Sequence, residues 1–244
     1  CALPISLHQS LMSELDPRLK VKVLLAQALF GSEPPDSGTV RLNGQPVDVS
    51  SIASAVRAGI AYVPEDRLRL GLVLSQSVRR NVTLCSLTRL ADRLGRINLE
   101  ALRKLSTRLL DELLVKHGRV SLPITSLSGG NQQKVVLAKW LAINPRLLIL
   151  DSPSVGIDVG AKESIYETVH RKAHDGMGII MISDELRELL INCDRIAIMA
   201  HGRIRGIYDA PGLEEDVLQK LIEEASQGHV TGSLKGERRH GGAA

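Results

Sequence analysis

Leu127-Ser128-Gly129-Gly130-Asn131-Gln132-Gln133-Lys134, followed a short helix later by Arg146-Leu147-Leu148-Ile149-Leu150-Asp151, decides how this chain is read. A serine and two glycines at a helix start leave several backbone N–H groups unpaired. The helix dipole adds partial positive charge there, so the place suits a phosphate. For Ser-Gly-Gly alone a capped helix with a flexible entry is the better reading, but the full octet is much rarer than its parts. The second segment is an apolar strand ending in an acid. Such an aspartate commonly holds Mg²⁺, through water, beside a nucleotide's phosphates, although taken alone it is more often a loop cap. Asp158, in Val155-Gly156-Ile157-Asp158-Val159-Gly160-Ala161-Lys162, is weak by itself. In this order and spacing the three strengthen one another.

Outward from these segments the chain alternates. Ser51–Ala58 reads as a short helix and Ile60–Val63 as a strand. Thr39–Val49 alternates like a hairpin turning at Asn43-Gly44. Asn98–Lys116 is the clearest helix, with Asn98 as N-cap, Gly118 as stop, and Leu99, Leu102, Leu105, Leu109 and Leu113 on one apolar face. A second helix runs from after Ser128 to before Pro145. Beyond it come strand Leu147–Leu150, helix Ala161–His174, strand Gly178–Ile182, helix Glu185–Ile191, strand Arg195–Met199, a turn at His201-Gly202 and Arg203–Tyr208. Alternating short apolar strands and helices imply a doubly wound, mostly parallel α/β sheet. Residues 226–244, rich in Gly, Ser and basic residues, read as a flexible basic tail.

Composition closes off several classes. The 244 residues are 43% hydrophobic and 24% charged, ordinary for a globular chain long enough to bury a substantial core. No apolar run approaches the ~20 residues of a membrane-spanning helix. The first 30 residues hold no glycine, and 1–16 lack the basic start and long apolar stretch of a signal peptide. A formal net charge of +4 with only 2% aromatics leaves too few rings for a nucleic-acid stacking surface, so no nucleic-acid partner is expected. Cys1, Cys85 and Cys193 are far apart, which suggests neither a disulfide framework nor a zinc site. Cys85 and Cys193 read as small core residues. His170 and His174 share an i,i+4 face, but with no third ligand in a recognisable motif they read as a solvated face.

With these motifs in hand, residues 26–225 resemble the nucleotide-binding domain of ABC transporters. Ser128-Gly129-Gly130-Asn131-Gln132-Gln133 resembles the signature, Leu147–Asp151 the Walker B strand and Gly156-Ile157-Asp158 the D-loop. Ala61-Tyr62-Val63-Pro64-Glu65-Asp66-Arg67 resembles the Q-loop region with Glu65 in the Gln position. The wording is similar to the second cassette of sugar importers, whose subunits fuse two cassettes and power uptake of ribose, galactose, xylose and similar sugars. The resemblance implies an ABC-type P-loop NTPase fold, with a small antiparallel β part and a helical subdomain over roughly 72–145 that carries the signature. It implies ATP and Mg as cofactors, with Ser128, Gly129, Gly130, Gln133, Asp151 and Glu65 at the nucleotide, Mg held by Asp151 through water, and Asp158 at the dimer seam. As partners it implies a first ABC cassette, membrane permease subunits and, indirectly, a periplasmic sugar-binding protein. The expected place is peripheral, on the cytoplasmic face of the inner membrane.

Three departures from the family pattern set what this copy is expected to do. A phosphate loop needs G-x-x-x-x-G-K-[ST], and Leu19–Leu25, where it belongs, reads Leu-Lys-Val-Lys-Val-Leu-Leu. Ser152 stands at the position of the Glu that polarises the attacking water, and Asp184 at that of the switch His. No intact catalytic residue is therefore expected, and hydrolysis by this cassette alone should be weak. One expectation is that it donates its signature to a partner cassette's ATP site. Another is that residues 1–25 are non-matching or artefactual, so that the 244 residues are an N-terminally incomplete gene product. The alternative from another class is a regulatory or scaffolding protein with the cassette fold and no ATPase.

Overall fold

The computed structural model describes residues 17–228, with side chains from residue 23 onward. Helix α1 (Pro17–Phe30) is followed by a hairpin of β1 (Arg41–Leu42) and β2 (Gln45–Pro46), paired Leu42 to Gln45. Asn43 and Gly44 turn the hairpin at φ of 52° and 77°, the left-handed pair that an Asn-Gly turn supplies. Helix α2 (Ile52–Arg57) starts in a reciprocal capping box between Ser51 and Ser54 and leads to β3 (Ile60–Val63). After a π-helical turn over Arg67–Gly71 come α3 (Val78–Thr83), α4 (Leu87–Leu90), α5 (Leu99–Glu112) and α6 (Gly129–Leu141). Then β4 (Leu147–Asp151), α7 (Val159–His174) and β5 (Gly178–Ile182) alternate, as the sequence rhythm predicts.

β4 lies between β3 and β5, parallel to both, with Leu148 opposite Ala61 and Ile179. Leu148, Ile149 and Leu150 are essentially inaccessible, which is why this strand is a continuous apolar run. Burial of each side chain contributes about 1.5–3 kcal/mol. Helix α6 packs on β3, α3, α5 and the π-helical turn, and nearly all of it is buried. Its Lys139 is buried as well, with Nζ donating to the Gly71 carbonyl at 2.6 Å. Together these elements, with α1 only from Ala26 onward, form the larger of two compact units, Ala26–Pro34 with Val40–Ile182.

Among the described residues the smaller unit comprises 17–25, 35–39 and 183–228. It contains α8 (Leu186–Asn192), an antiparallel pair of β6 (Arg195–Ala200) and β7 (Arg203–Asp209) turning at His201-Gly202, and α9 (Glu215–Ser226). Ile196, Ile198, Tyr208, Ala210, Leu218 and Ala225 make its core.

Several sequence expectations shift. Helix α5 ends at Glu112, well before Gly118: Leu113 is the C-cap and Leu114 takes φ of +50°. Its buried face is Ser106, Leu109 and Leu110, while Leu99 is 65% exposed. Ser226 closes α9 instead of opening a tail, with Gln227 as its C-cap; residues 229–244 and the 1–16 segment lie outside the described residues. Cys85 and Cys193 are half-buried instead of core. His170 and His174 are both exposed on α7.

Candidate functional site

Within the larger unit, the signature, the D-loop and the segment after β3 meet. Ser128 is exposed, has extended backbone geometry and caps α6 without a side-chain bond to its amides. Its Oγ instead accepts from Asn131 Nδ2 at 2.9 Å, and Asn131 Oδ1 accepts from the Lys116 amide at 2.8 Å. The first amides of α6 are thus left without a side-chain cap. Gly130 has a packing reason to lack a side chain: a Cβ there would stand 2.5 Å from Ala161 Cβ and 3.0 Å from Asp158 Oδ2. Asp158 caps α7 by accepting from the Ala161 amide at 2.9 Å. The signature helix and α7 therefore touch start to start.

Arg67, quoted in the sequence only as part of a longer match, joins this cluster. Its guanidinium donates to the carbonyls of Val155 at 3.1 Å and Gly156 at 3.2 Å, and a Cβ on Gly129 would meet it at 2.8 Å. Glu65 is exposed two residues earlier, its carbonyl accepting from the Arg67 amide. Asp66 Oδ1 accepts from the Leu68 and Arg69 amides and so starts the π-helical turn.

Asp151 closes β4 at 4% exposure, and its Oδ2 accepts from the Tyr62 hydroxyl at 2.5 Å. Burial first, and the Asp151 bond second, push the Tyr62 phenol well above its ordinary value, so it remains a donor. No sequence reading flagged Tyr62; the register that pairs it with Ile149 puts it on the face of β4 that carries Asp151 two residues on. Ser152 follows with φ of +45°, its amide donating to the Ile182 carbonyl at 2.8 Å. Gln133 does not join the cluster. It is 3% exposed, on the packed side of α6, and its Oε1 has no hydrogen-bond partner among the described residues. Asp184 belongs to the smaller unit, exposed in the turn before α8. An open groove of about 460 Å³ lined by Ser86, Arg89, Lys104, Leu105, Arg108 and their neighbours includes none of these residues.

This fold and cluster define an ATP-binding cassette. The family model described as ABC transporter matches residues 22–155, more than half of the chain, and the chain belongs to that family. The ribose import ATP-binding protein RbsA of Geobacillus kaustophilus is 43% identical over 196 residues, covering 80% of this chain and 40% of that protein. The RbsA of Pseudomonas putida is 44% identical over 203 residues, covering 83% and 40%. A putative ribose/galactose/methyl galactoside import ATP-binding protein of Burkholderia cenocepacia is 43% identical, covering 76% and 36%. The chain thus spans about two fifths of the length of these relatives. Among solved structures, cbiO1 of Clostridium perfringens, part of a cbiONQ transporter complex, aligns with a TM-score of 0.64 at 23% identity over 84% of this chain and 77% of its own. The dimeric post-hydrolysis cassette MJ0796 aligns at 0.66 and 21% over 79% and 82%.

The family binds ATP, typically with Mg²⁺. The segment expected to cradle phosphate is the helix Pro17–Phe30, whose interior amides go to its own carbonyls, and an oxygen of Asp151 is taken by Tyr62. No group of three or more His, Cys, Asp or Glu that could hold a metal is assembled among the described residues. No described helix is long and apolar enough to cross a membrane.

Proposed function

We propose that the chain is the second cassette of a two-cassette ATP-binding subunit that powers uptake of a ribose- or galactose-type sugar. In this reading the cassette spans 26–225 with its helical part over 72–145, and it lies peripherally on the cytoplasmic face of the membrane against permease subunits. A periplasmic sugar-binding protein supplies the sugar to that permease. The observation that supports the proposal is the open signature end of α6, where Ser128 is exposed and its side chain makes no bond to the helix's amides. Ser128 and the amides of Gly129 and Gly130 would then bind the γ-phosphate held by the first cassette, and Asp158 would meet that cassette across the seam. Ser152 and Asp184 leave this half without a base or switch of the family type, so hydrolysis occurs at the partner's site.

The test is Ser128→Arg in the assembled transporter. It is expected to lower ATPase turnover by on the order of 100-fold or more, the range seen when a transition-state donor is lost, with the melting temperature unchanged because Ser128 is exposed. Unchanged turnover overturns the reading. Resequencing the codons for 1–25 separates two forms of it: a glycine-rich loop ahead of Ala26 makes that segment artefactual, and confirmation of the present codons makes this a loopless cassette.

The bond between Tyr62 and Asp151 also favours a second reading, a regulatory or scaffolding cassette without ATPase. Purification with a soluble partner and no permease selects it.

A further inference from the structure

Three segments far apart in the sequence meet at one guanidinium. Arg67 opens the π-helical turn and donates from Nη1 to the Val155 carbonyl at 3.1 Å and from Nη2 to the Gly156 carbonyl at 3.2 Å. Among the described residues, the backbone of 153–157 makes one other hydrogen bond, from the Val155 amide to the Ser152 carbonyl at 3.2 Å. The loop between β4 and the Asp158 cap of α7 is therefore held chiefly by this one side chain. A planar fork of donors suits two adjacent carbonyls, as a single ammonium would not.

Gly129 sets its bare face against the same group. A Cβ there would stand 2.8 Å from Arg67 Nη2 and 3.3 Å from the Gly156 carbonyl oxygen. The arginine tip is the flexible partner in that clash, so a methyl at 129 displaces the guanidinium before it moves backbone. The turn that carries Arg67 is fixed on α6 at its other end. There Lys139 Nζ donates to the Gly71 carbonyl at 2.6 Å, and a Cβ on Gly71 would stand 2.9 Å from Val136 Cγ2. Arg67 Nε is buried with no hydrogen-bond partner among the described residues, so two carbonyls and the Gly129 face set the position of the side chain.

We propose that Arg67 is a positioning residue that locks the loop before α7 to the start of α6. The uncapped amides of α6 and the Asp158 end of α7 are then presented as one rigid surface. Position 129 is a glycine because the guanidinium takes the space of a side chain, as well as for its amide. The inference deepens the reading of these segments as signature and D-loop, on which it rests.

Amide hydrogen exchange of the full chain, read by mass spectrometry on peptides over 152–158, tests it in the wild type, Arg67→Ala, Gly129→Ala and the double variant. Peptides over 147–151 report β4 as the control. Each single variant is expected to speed exchange over 152–158 by about tenfold, the scale of one lost charge-assisted bond, with β4 unchanged. The double variant is expected to be no faster than Arg67→Ala, because the methyl then has no guanidinium to displace. Effects that multiply in the double variant, or wild-type exchange over 152–158 in Arg67→Ala, overturn the proposal. So does equal acceleration in β4, which marks a general loosening and no particular hold on the loop.

Should Arg67→Ala fail to fold, Arg67→Lys and Gly129→Ala decide. Lysine keeps the charge but loses the fork, so both are expected to speed exchange over 152–158; wild-type exchange in either overturns the proposal. The measurement uses this chain alone and no nucleotide, so it can fail while Ser128→Arg still lowers turnover of the assembled transporter, and the reverse.

Discussion

At Gly130 a motif residue has two reasons to be there, and they can be separated. An amide free of a side chain suits phosphate, but the neighbouring Ala161 methyl also leaves no space for a Cβ. Gly130→Ala is therefore expected to cost about 1–3 kcal/mol of stability through overpacking alone. The melting temperature of the isolated chain should fall by roughly 2–4 °C for each kcal/mol. Ala161→Gly removes the opposing methyl, so the double variant should lose less than the sum of the singles; strictly additive losses would count against the contact. Gly130 and Asp151 stand out in the sequence because their chemistry is written locally, in a motif and at a strand end. Tyr62 and Arg67 do not, because their partners lie 89 and 88 positions away and meet them only through strand register and loop closure. Gln133 stands in the same motif, and helix phase buries it, a placement that the motif wording alone does not give.

Elements were readable where local rules and tertiary packing agree. The β4 run is apolar up to its terminal Asp151 because it lies between β3 and β5 in a parallel sheet, and the Asn-Gly hairpin follows from two left-handed residues. Helix α5 misled at its end because its stop is not a glycine. Leu114, 67% exposed, takes φ of +50° while Asn131 holds the following turn through the Lys116 amide and Lys134 Nζ donates to the Leu114 carbonyl at 3.3 Å. A leucine in the left-handed region costs about 1–2 kcal/mol, and these tertiary bonds hold it there. Leu114→Gly should relieve that cost, partly offset by glycine's entropy in the unfolded chain, for a net gain of about 0.5–1 kcal/mol. Denaturant melts check this, and a loss of stability would show that the leucine side chain contributes packing despite its exposure.

On the scale of the whole molecule, the two units have cores of their own, and two side chains report on them separately. Trp140 is buried in the larger unit, whereas Cys193 packs against the core of Ile196, Ile198, Tyr208 and Leu218 in the smaller. Burial first, and then the neighbouring Asp194 and Glu188, push the Cys193 thiol up to about 11 from an ordinary value near 9. The unfolded chain gives up this proton first, so the smaller unit's stability is intact below about pH 9 and falls as pH rises toward 11. With its partial exposure discounted, the loss is on the order of 1 kcal/mol. Melts between pH 8 and pH 11 followed by far-ultraviolet circular dichroism should lose stability less steeply in Cys193→Ala than in the wild type. Melts followed by Trp140 emission should be the same for both proteins, because the titrating thiol and the tryptophan belong to different cores. Transitions that coincide in both probes would mean that the chain unfolds as one cooperative body, and an equally steep loss in Cys193→Ala would mean that the alkaline loss is carried by groups other than this thiol.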